Sequence, residues 1–148
     1  MRRYLLDTGP LGAYLQGREP AVDLIIPWIR QGEAATSILV YGEIIEYIKS
    51  LHDYPTKYRG LRGLLGAIYP YFLTYAILER YADIRRALRP PHGPGLIGDI
   101  DTLIAATALE RNLTVVTTDS DYERVPRLKG PTHLAQTSVG RSKRLPLL

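Results

Sequence analysis

Cysteine is absent from the 148-residue sequence, which excludes disulfide bonds, thiol nucleophiles and thiolate zinc sites. Histidine is scarce: His52, His92 and His133 lie far apart, in segments that we predict to be loops. No apolar run approaches the roughly 18 residues that a membrane-spanning helix needs. Asp7 interrupts the first apolar stretch too early for a signal peptide. We therefore expect a cytoplasmic protein with no membrane partner.

Acidic residues are in slight deficit, with 15 of them against 19 lysines and arginines, which gives a formal net charge of +4 and a pI near 9.4. Positive runs occur at 57–62, 85–89 and 141–144. A basic balance favours polyanionic partners, although many ordinary globular domains share it. The length predicts one domain with a real core, which we place at 1–137, followed by a flexible basic tail at 138–148.

The most informative segment is 98–109, in which Asp99 and Asp101 precede a nearly continuous apolar, alanine-rich stretch. A helix that is apolar around its whole circumference is a buried helix. We therefore expect Asp101 to lie where the chain enters the core, rather than on an outer face.

Short apolar segments alternate with segments of helical periodicity along the chain. Strands are predicted at 3–6, 33–36, 113–117 and 132–136, with 71–75 as either strand or helix. The stretch 52–60 is predicted to be a polar loop, and short helices are predicted at 61–69 and 122–128. Alternating strands and helices imply right-handed crossovers and a mainly parallel sheet. Sites in such sheets form beyond the carboxyl ends of the strands.

Acids from four distant segments are predicted to converge at that edge. Asp7 ends the first strand, and Asp119 follows the strand at 113–117. Asp101 opens the helix that leads into this strand, so it starts on the same edge. Glu43 lies in the helix after the second strand, at the border of its apolar stripe.

Converging carboxylates have a specific chemical use. Like charges a few ångströms apart raise one another's pKa values steeply unless a cation neutralises them. Oxygen ligands without histidine or cysteine select hard ions, Mg²⁺ or alternatively Mn²⁺. Mg²⁺ keeps most of its waters, which leaves room for a substrate phosphate and an attacking water. With a basic surface to hold a polyanion, this pattern predicts metal-assisted phosphodiester hydrolysis.

Four short motifs follow one another along the chain: Tyr4-Leu5-Leu6-Asp7-Thr8, Thr36-Ser37 with Glu43 six residues on, the segment from Asp101 to Ala108, and the segment from Val116 to Tyr122. In order and spacing they resemble the motifs of PIN-domain ribonucleases, most closely VapC-type toxins of toxin–antitoxin pairs. The resemblance covers about residues 3–135. It implies a three-layer α/β/α sandwich and a Mg²⁺-dependent endoribonuclease that leaves a 5′-phosphate. It also implies a homodimer and an antitoxin that inserts a segment into the active-site groove.

The same resemblance assigns roles to individual residues. The catalytic and metal-binding acids would be Asp7, Glu43, Asp101 and Asp119, with Asp7 and Asp101 the most direct ligands. Supporting positions would be Thr8 and Thr117, which orient carboxylates, and the outer acids Asp99 and Asp121. The chain departs from the family pattern at Gly9, where a small polar residue is common, and at Tyr122, where Phe is commoner. The first departure is expected to loosen the support of the carboxylates.

Simpler interpretations stay open. Taken singly, Asp101 could cap its helix, Glu43 could be a solvated helix residue, and Asp119 could form a turn together with Asp121. A catalytically idle PIN-like module that binds RNA or protein, and a PIN nuclease of general RNA processing, are alternatives to the toxin. The Asp-Thr-Gly at 7–9 also occurs in aspartic proteases. Those enzymes are nearly all β, whereas helical periodicity dominates here.

Overall fold

A computed structural model describes residues 1–129 and 132–133. Within that part of the chain one sheet contains five strands: β1 (Tyr4–Leu6), β2 (Ala34–Ser37), β3 (Tyr69–Tyr71), β4 (Thr114–Thr117) and β5 (Thr132–His133). The strand order is β3-β2-β1-β4-β5, and every neighbouring pair is parallel. The predicted parallel sheet is therefore confirmed. The predicted domain end at 137 and the tail at 138–148 lie outside the described residues.

Helices connect the strands in the described residues: α1 (Thr8–Leu15), α2 (Ala21–Arg30), α3 (Ile38–Ile48), α4 (Tyr54–Leu64), α5 (Tyr75–Leu88) and α6 (Asp99–Arg111), with a 3₁₀ helix at Ser120–Arg124. Helix α1 packs against α2 and α3, whereas α5 packs along α6. The chain moves one way across the sheet from β1 to β3 and the other way from β3 to β4. Right-handed crossovers therefore place α5 and α6 on the opposite face from α1 to α4, which makes three layers.

The core lies on both faces of the central strands, whose side chains are buried in near-continuous apolar runs. Leu5 and Leu6 of β1 are fully buried, as are Val115 and Val116 of β4. Parallel sheets covered by helices on both faces have this pattern. Helix α6 is buried along most of its length, as its composition predicts, and Ile100 in its first turn is exposed.

Backbone geometry constrains the loop before α6 and the C-terminal end of the helix. The loop that leads into it passes so close to the end of α5 that a Cβ on Gly93 would meet the Ala87 carbonyl oxygen. Asn112 ends α6 in the left-handed conformation, with φ 57°. No helix in the described ranges is long and apolar enough to cross a membrane.

The predicted loop at 52–60 is wrong, because this stretch begins helix α4. Pro55 lies in the first turn, Lys57 pairs with Asp53 at 3.7 Å, and Leu61 is fully buried. The inward face of this helix has a helical period, because Leu61 is buried and Tyr54, Tyr58 and Leu64 pack against the core. Gly60 and Gly63, which are unfavourable inside helices, interrupt that pattern in the sequence. The helix predicted at 61–69 is wrong in its bounds, because α4 ends at Leu64 and Tyr69–Tyr71 form β3.

The predicted helix at 122–128 is also wrong, because the structure has a short 3₁₀ helix at Ser120–Arg124 instead. The last predicted strand, at 132–136, is present as β5 over its first two residues, and the remainder lies outside the described residues.

Candidate acidic active site

The sheet topology brings the acids of β1 and β4 side by side. The order of the strands reverses at β1, which lies between β2 and β4. Asp7 directly follows β1, and its backbone N–H donates to the Val116 carbonyl of β4 at 2.9 Å. Asp119 comes just after β4. Ligand sites of open α/β sheets form at such a reversal, beyond the carboxyl ends of the strands.

The Thr117 hydroxyl joins these two acidic segments. It donates to Oδ2 of Asp7 at 2.8 Å and accepts from the backbone N–H of Asp119 at 3.0 Å. Thr117 is fully buried and its hydrogen bond to Asp7 is buried, so that bond does not compete with bulk water. The carboxylate that follows β1 is therefore held by the last residue of β4.

A second threonine ties Glu43 to the same edge. The Thr8 hydroxyl, at the start of α1, donates to Oε1 of Glu43 at 2.8 Å. Glu43 lies in α3, whose N-terminus is capped by Ser37: the Ser37 hydroxyl accepts from the Leu39 N–H at 3.1 Å. Thr8 and Thr117 thus each contact one of the carboxylates that the sequence singles out.

Three carboxylates meet closely where β4 ends and α6 begins. Asp101, Asp119 and Asp121 are partly buried, and each offers an oxygen within 4.8 Å of those of the other two. Asp119 turns the chain back by accepting the Asp121 N–H at 2.9 Å, which starts the 3₁₀ helix. All three donors are carboxylate oxygens, which hard ions such as Mg²⁺ prefer, so the chemistry of this group fits such an ion.

Asp7 and Glu43 lie near enough to these acids for the carboxylate charges to act on one another. Burial raises the pKa of Asp7, which is 8% exposed, and the charges of Glu43 and Asp119 add to that rise. The Thr117 hydrogen bond and the Thr8 backbone N–H oppose it. Asp7 is thus a buried acid whose ionised form lacks full compensation.

Asp101 is perturbed in the same direction. Burial raises its pKa to about 6, and the charges of Asp7, Asp119 and Glu43 add to the effect of burial. For Asp7 and Asp101 alike, the neighbouring charges that act on the carboxyl group are other carboxylates. Bringing these acids together therefore costs free energy, which a bound cation would offset.

The Tyr122 hydroxyl contacts the acidic cluster, and no role for it was predicted from the sequence. Its side chain is fully buried, and its hydroxyl donates to Oδ1 of Asp101 at 3.2 Å. Burial and the nearby acids raise its pKa, so the phenol stays protonated. The signal was present in the sequence, because a buried tyrosine beside an acidic cluster needs a partner for its hydroxyl.

Asp99 is the predicted outer acid that the structure does not bring into the cluster. Its Oδ1 accepts from Arg85 Nη1 at 2.7 Å and from the Tyr81 hydroxyl at 3.1 Å, both on α5. Its side chain is 68% exposed. Asp121, the other outer acid, lies in the cluster and also pairs with Arg124 at 3.3 Å.

Gly9 makes room for a neighbouring side chain. A Cβ at this position would lie 2.7 Å from the Thr118 hydroxyl oxygen. A larger residue would therefore require Thr118 to move.

The family model of the PIN domain matches residues 4–128. The fold is similar to that of DNA-bound VapBC from Salmonella typhimurium, with a TM-score of 0.75 and 20% identity over 87% of this chain and 96% of that one. It is also similar to VapBC-1 from nontypeable Haemophilus influenzae, with a TM-score of 0.70 and 24% identity over 85% and 94%. FitAcB from Neisseria gonorrhoeae gives a TM-score of 0.64 and 26% identity over 88% and 99%. No curated protein matches the sequence.

Proposed function

We propose, from the premise that this chain belongs to the PIN domain family, that it is a metal-dependent endoribonuclease and the toxin of a toxin–antitoxin pair. The observation that carries the proposal is the meeting of acids from β1, α3, α6 and the end of β4, whose mutual charges act on Asp7 and Asp101. A fold that assembles these acids needs a cation from outside to neutralise them.

The residues that would hold the ion are the three close carboxylates, Asp101, Asp119 and Asp121, together with Asp7. Mg²⁺ is the expected ion, with Mn²⁺ as the alternative, because every ligand is oxygen. When bound, the ion would supply a water of lowered pKa and positive charge beside a phosphodiester. Glu43 stands at the margin of this group, oriented by Thr8.

The hydrogen bonds of the site give each carboxylate a fixed orientation. Thr117 holds Asp7, Thr8 holds Glu43 and Tyr122 holds Asp101. Such contacts behind a metal ligand set its direction and its basicity. They support a site that is ready for an ion before the substrate arrives.

Two arginines flank the acids and support RNA as the substrate. Arg85 pairs with Asp99 on one side of the start of α6, and Arg124 pairs with Asp121 on the other. Both side chains are partly exposed, so each can exchange its carboxylate for a phosphate of a polyanion. The choice of RNA over DNA rests on the resemblance to PIN-domain ribonucleases.

Two protein partners complete the proposal. The similar structures are toxin–antitoxin complexes by name, which supports an antitoxin that covers this site. A homodimer is supported by large apolar side chains left exposed at the start of α5: Phe72 is 63% exposed, Tyr75 is 89% exposed and Leu78 is 42% exposed. Surfaces of this kind commonly mark protein contacts. Light scattering of the purified chain would test the dimer, and a monomer at micromolar concentration would reject it.

The direct test is cleavage of RNA by the purified chain freed of any antitoxin. We expect cleavage with Mg²⁺ or Mn²⁺, none with a chelator, and loss of cleavage in Asp7→Asn. Asp23→Asn is the matched control, because Asp23 is an exposed acid on α2. If the protein bound no divalent ion and cut no RNA, it would be a non-catalytic PIN-like module instead.

The toxin role needs its own test. Expression in a bacterium should arrest growth, and Asp7→Asn should relieve the arrest at equal protein level. A small neighbouring gene for a DNA-binding protein that copurifies with this chain would identify the antitoxin. RNA cleavage without growth arrest would favour a nuclease of general RNA processing.

A further inference from the structure

Tyr122 places a hydroxyl group where a phenyl ring alone would fill the space. Its side chain is fully buried, and its hydroxyl donates to Oδ1 of Asp101 at 3.2 Å. A phenylalanine would provide the same ring and the same packing. The oxygen of Tyr122 is therefore an addition whose hydrogen-bond partner is a carboxylate of the acidic cluster.

The hydrogen bond distinguishes the two oxygens of Asp101. Oδ1 accepts the phenol proton, so one of its lone pairs is committed inside the protein. Oδ2 does not share this hydrogen bond, so it is the freer of the two oxygens. A carboxylate held in this way favours coordination through one oxygen over coordination through both.

Ions differ in how many oxygens they take from one carboxylate. Ca²⁺ binds six to eight oxygens at about 2.3–2.6 Å and often takes both oxygens of an acid. Mg²⁺ requires an octahedron at about 2.0–2.1 Å, and it takes single carboxylate oxygens and keeps waters. A constraint on Asp101 therefore penalises the larger ion more than the smaller one.

We propose that the Tyr122 hydroxyl is a positioning group that makes Asp101 a one-oxygen ligand and so makes the acidic site select Mg²⁺ over Ca²⁺. The inference rests on the proposed metal site. Tyr122 acts through Asp101 and does not touch the ion. Its effect is on the choice of ion, which ring packing alone would not change.

The chain offers a matched control on the other side of α6. The Tyr81 hydroxyl donates to Oδ1 of Asp99 at 3.1 Å, which is the same pair of groups at a similar distance. Asp99 lies outside the cluster and pairs with Arg85. Tyr81→Phe therefore removes an equivalent hydrogen bond without touching the proposed site.

The experiment measures the binding of Mg²⁺ and Ca²⁺ to the full chain by calorimetric titration. In Tyr122→Phe, the ratio of Mg²⁺ affinity to Ca²⁺ affinity should fall by about tenfold, the scale on which such supporting contacts act. Tyr81→Phe should keep the wild-type ratio. An unchanged ratio in Tyr122→Phe, with wild type binding Mg²⁺, would overturn this inference and leave the proposed function standing. No binding by wild type would overturn both.

A second measurement keeps the test independent of the stability of one variant. In an Asp101→Asn background, Tyr122→Phe should not change the ratio further, because the oxygen that it directs is no longer a carboxylate. An equal change in both backgrounds would show that the ring acts through packing, and the inference would fail. Thermal unfolding of each variant verifies that the fold is retained.

Discussion

Two aspartates in the first turn of α6 have opposite surroundings on the two sides of the helix. On the outer side, Asp99 is 68% exposed and pairs with Arg85 at 2.7 Å. On the inner side, Asp101 is partly buried beside Asp119 and Asp121, with Tyr122 as its hydrogen-bond donor. Only two positions separate these acids in the sequence, yet one has a cation of the protein beside it and the other has further acids.

This difference separates an acid whose charge is balanced by a cation of the protein from one whose charge is not. The charge of Asp99 is balanced inside the fold, so its pair adds little stability and needs nothing from outside. The pKa of Asp101 is raised to about 6 by burial and by other carboxylates, so its ionised form is held at a cost. A site that holds unbalanced charge in a pocket is a candidate for binding and catalysis.

The largest expected effect comes from neutralising Asp101, with Asp99 as the comparison. Asp101→Asn should lower metal-dependent RNA cleavage by roughly a thousandfold, since a lost ion ligand removes several kcal/mol of stabilisation from the reaction. Asp99→Asn should stay within a few-fold of wild type. Cleavage rates at saturating Mn²⁺ measure both.

The rise in thermal stability on metal binding tests the same two variants without an activity assay. Saturating Mn²⁺ should raise the unfolding midpoint of wild type and of Asp99→Asn by roughly 10 °C, and that of Asp101→Asn far less. Equal shifts in all three proteins would place the ion elsewhere and contradict the comparison.

The next effect concerns the hydroxyl that joins β1 to β4. Thr117→Val removes the hydrogen bonds to Asp7 and from the Asp119 N–H, so we expect a loss of about 2 kcal/mol in the free energy of unfolding. Cleavage should fall roughly 10–100-fold because Asp7 loses its orientation. Thr117→Ser keeps the hydroxyl and should recover most of the activity. A loss in Thr117→Ser as large as that in Thr117→Val would show that the hydroxyl is not the group that sustains cleavage.

A smaller effect is the pH dependence of the metal-free protein. The folded-state pKa of Asp101 is raised from 3.8 to about 6, so the native state binds more protons than the unfolded state between these values. The free energy of unfolding should therefore fall as pH rises through this window. Asp101→Asn removes this contribution, so its midpoint should exceed that of wild type by a few degrees at about pH 7.5 and by less at about pH 4.5. A constant difference across these pH values would rule out the raised pKa.

The smallest effect is expected on the outer side. Arg85→Gln breaks the pair with Asp99, and we expect a loss of less than about 1 kcal/mol in unfolding free energy, decreasing as salt rises. Denaturant unfolding at low and high salt measures it. A loss several times larger, or one that does not respond to salt, would mean that this pair is a buried structural link.

Much of the fold was readable because its signals are local. Apolar runs predicted β1, β2 and β4, and the alanine-rich stretch predicted a buried α6. The start of helix α4 was missed because its inward face begins with two half-buried tyrosines, Tyr54 and Tyr58, and because Pro55 and Gly60 are residue types typical of loops. The helix predicted at 122–128 begins too late and is too long, because Asp119 caps a short 3₁₀ helix that starts at Ser120 and ends at Arg124.

The sequence predicts the part of the candidate site that follows from the topology of a parallel sheet. Parallel strands place Asp7 and Asp119 at one edge, and a helix that leads into β4 must begin there with Asp101. The sequence could not predict which outer acid joins the cluster. Asp99 and Asp121 have the same side chain, and each lies two residues from one of the principal acids, Asp101 and Asp119. The roles of all these acids stay predictions until ions and RNA are tested.

The amino-acid pattern alone predicts a parallel α/β domain with acids at the carboxyl ends of its strands, because alternating strands and helices are local signals that imply right-handed crossovers. The surroundings of each acid depend instead on how distant segments pack. Arg85 reaches Asp99 from α5, and Tyr122 reaches Asp101 from beyond β4, across gaps of 14 and 21 residues along the chain. The rotation of one helix about its axis sets which acid meets a cation and which meets other acids, and that rotation is fixed by packing against the sheet and α5.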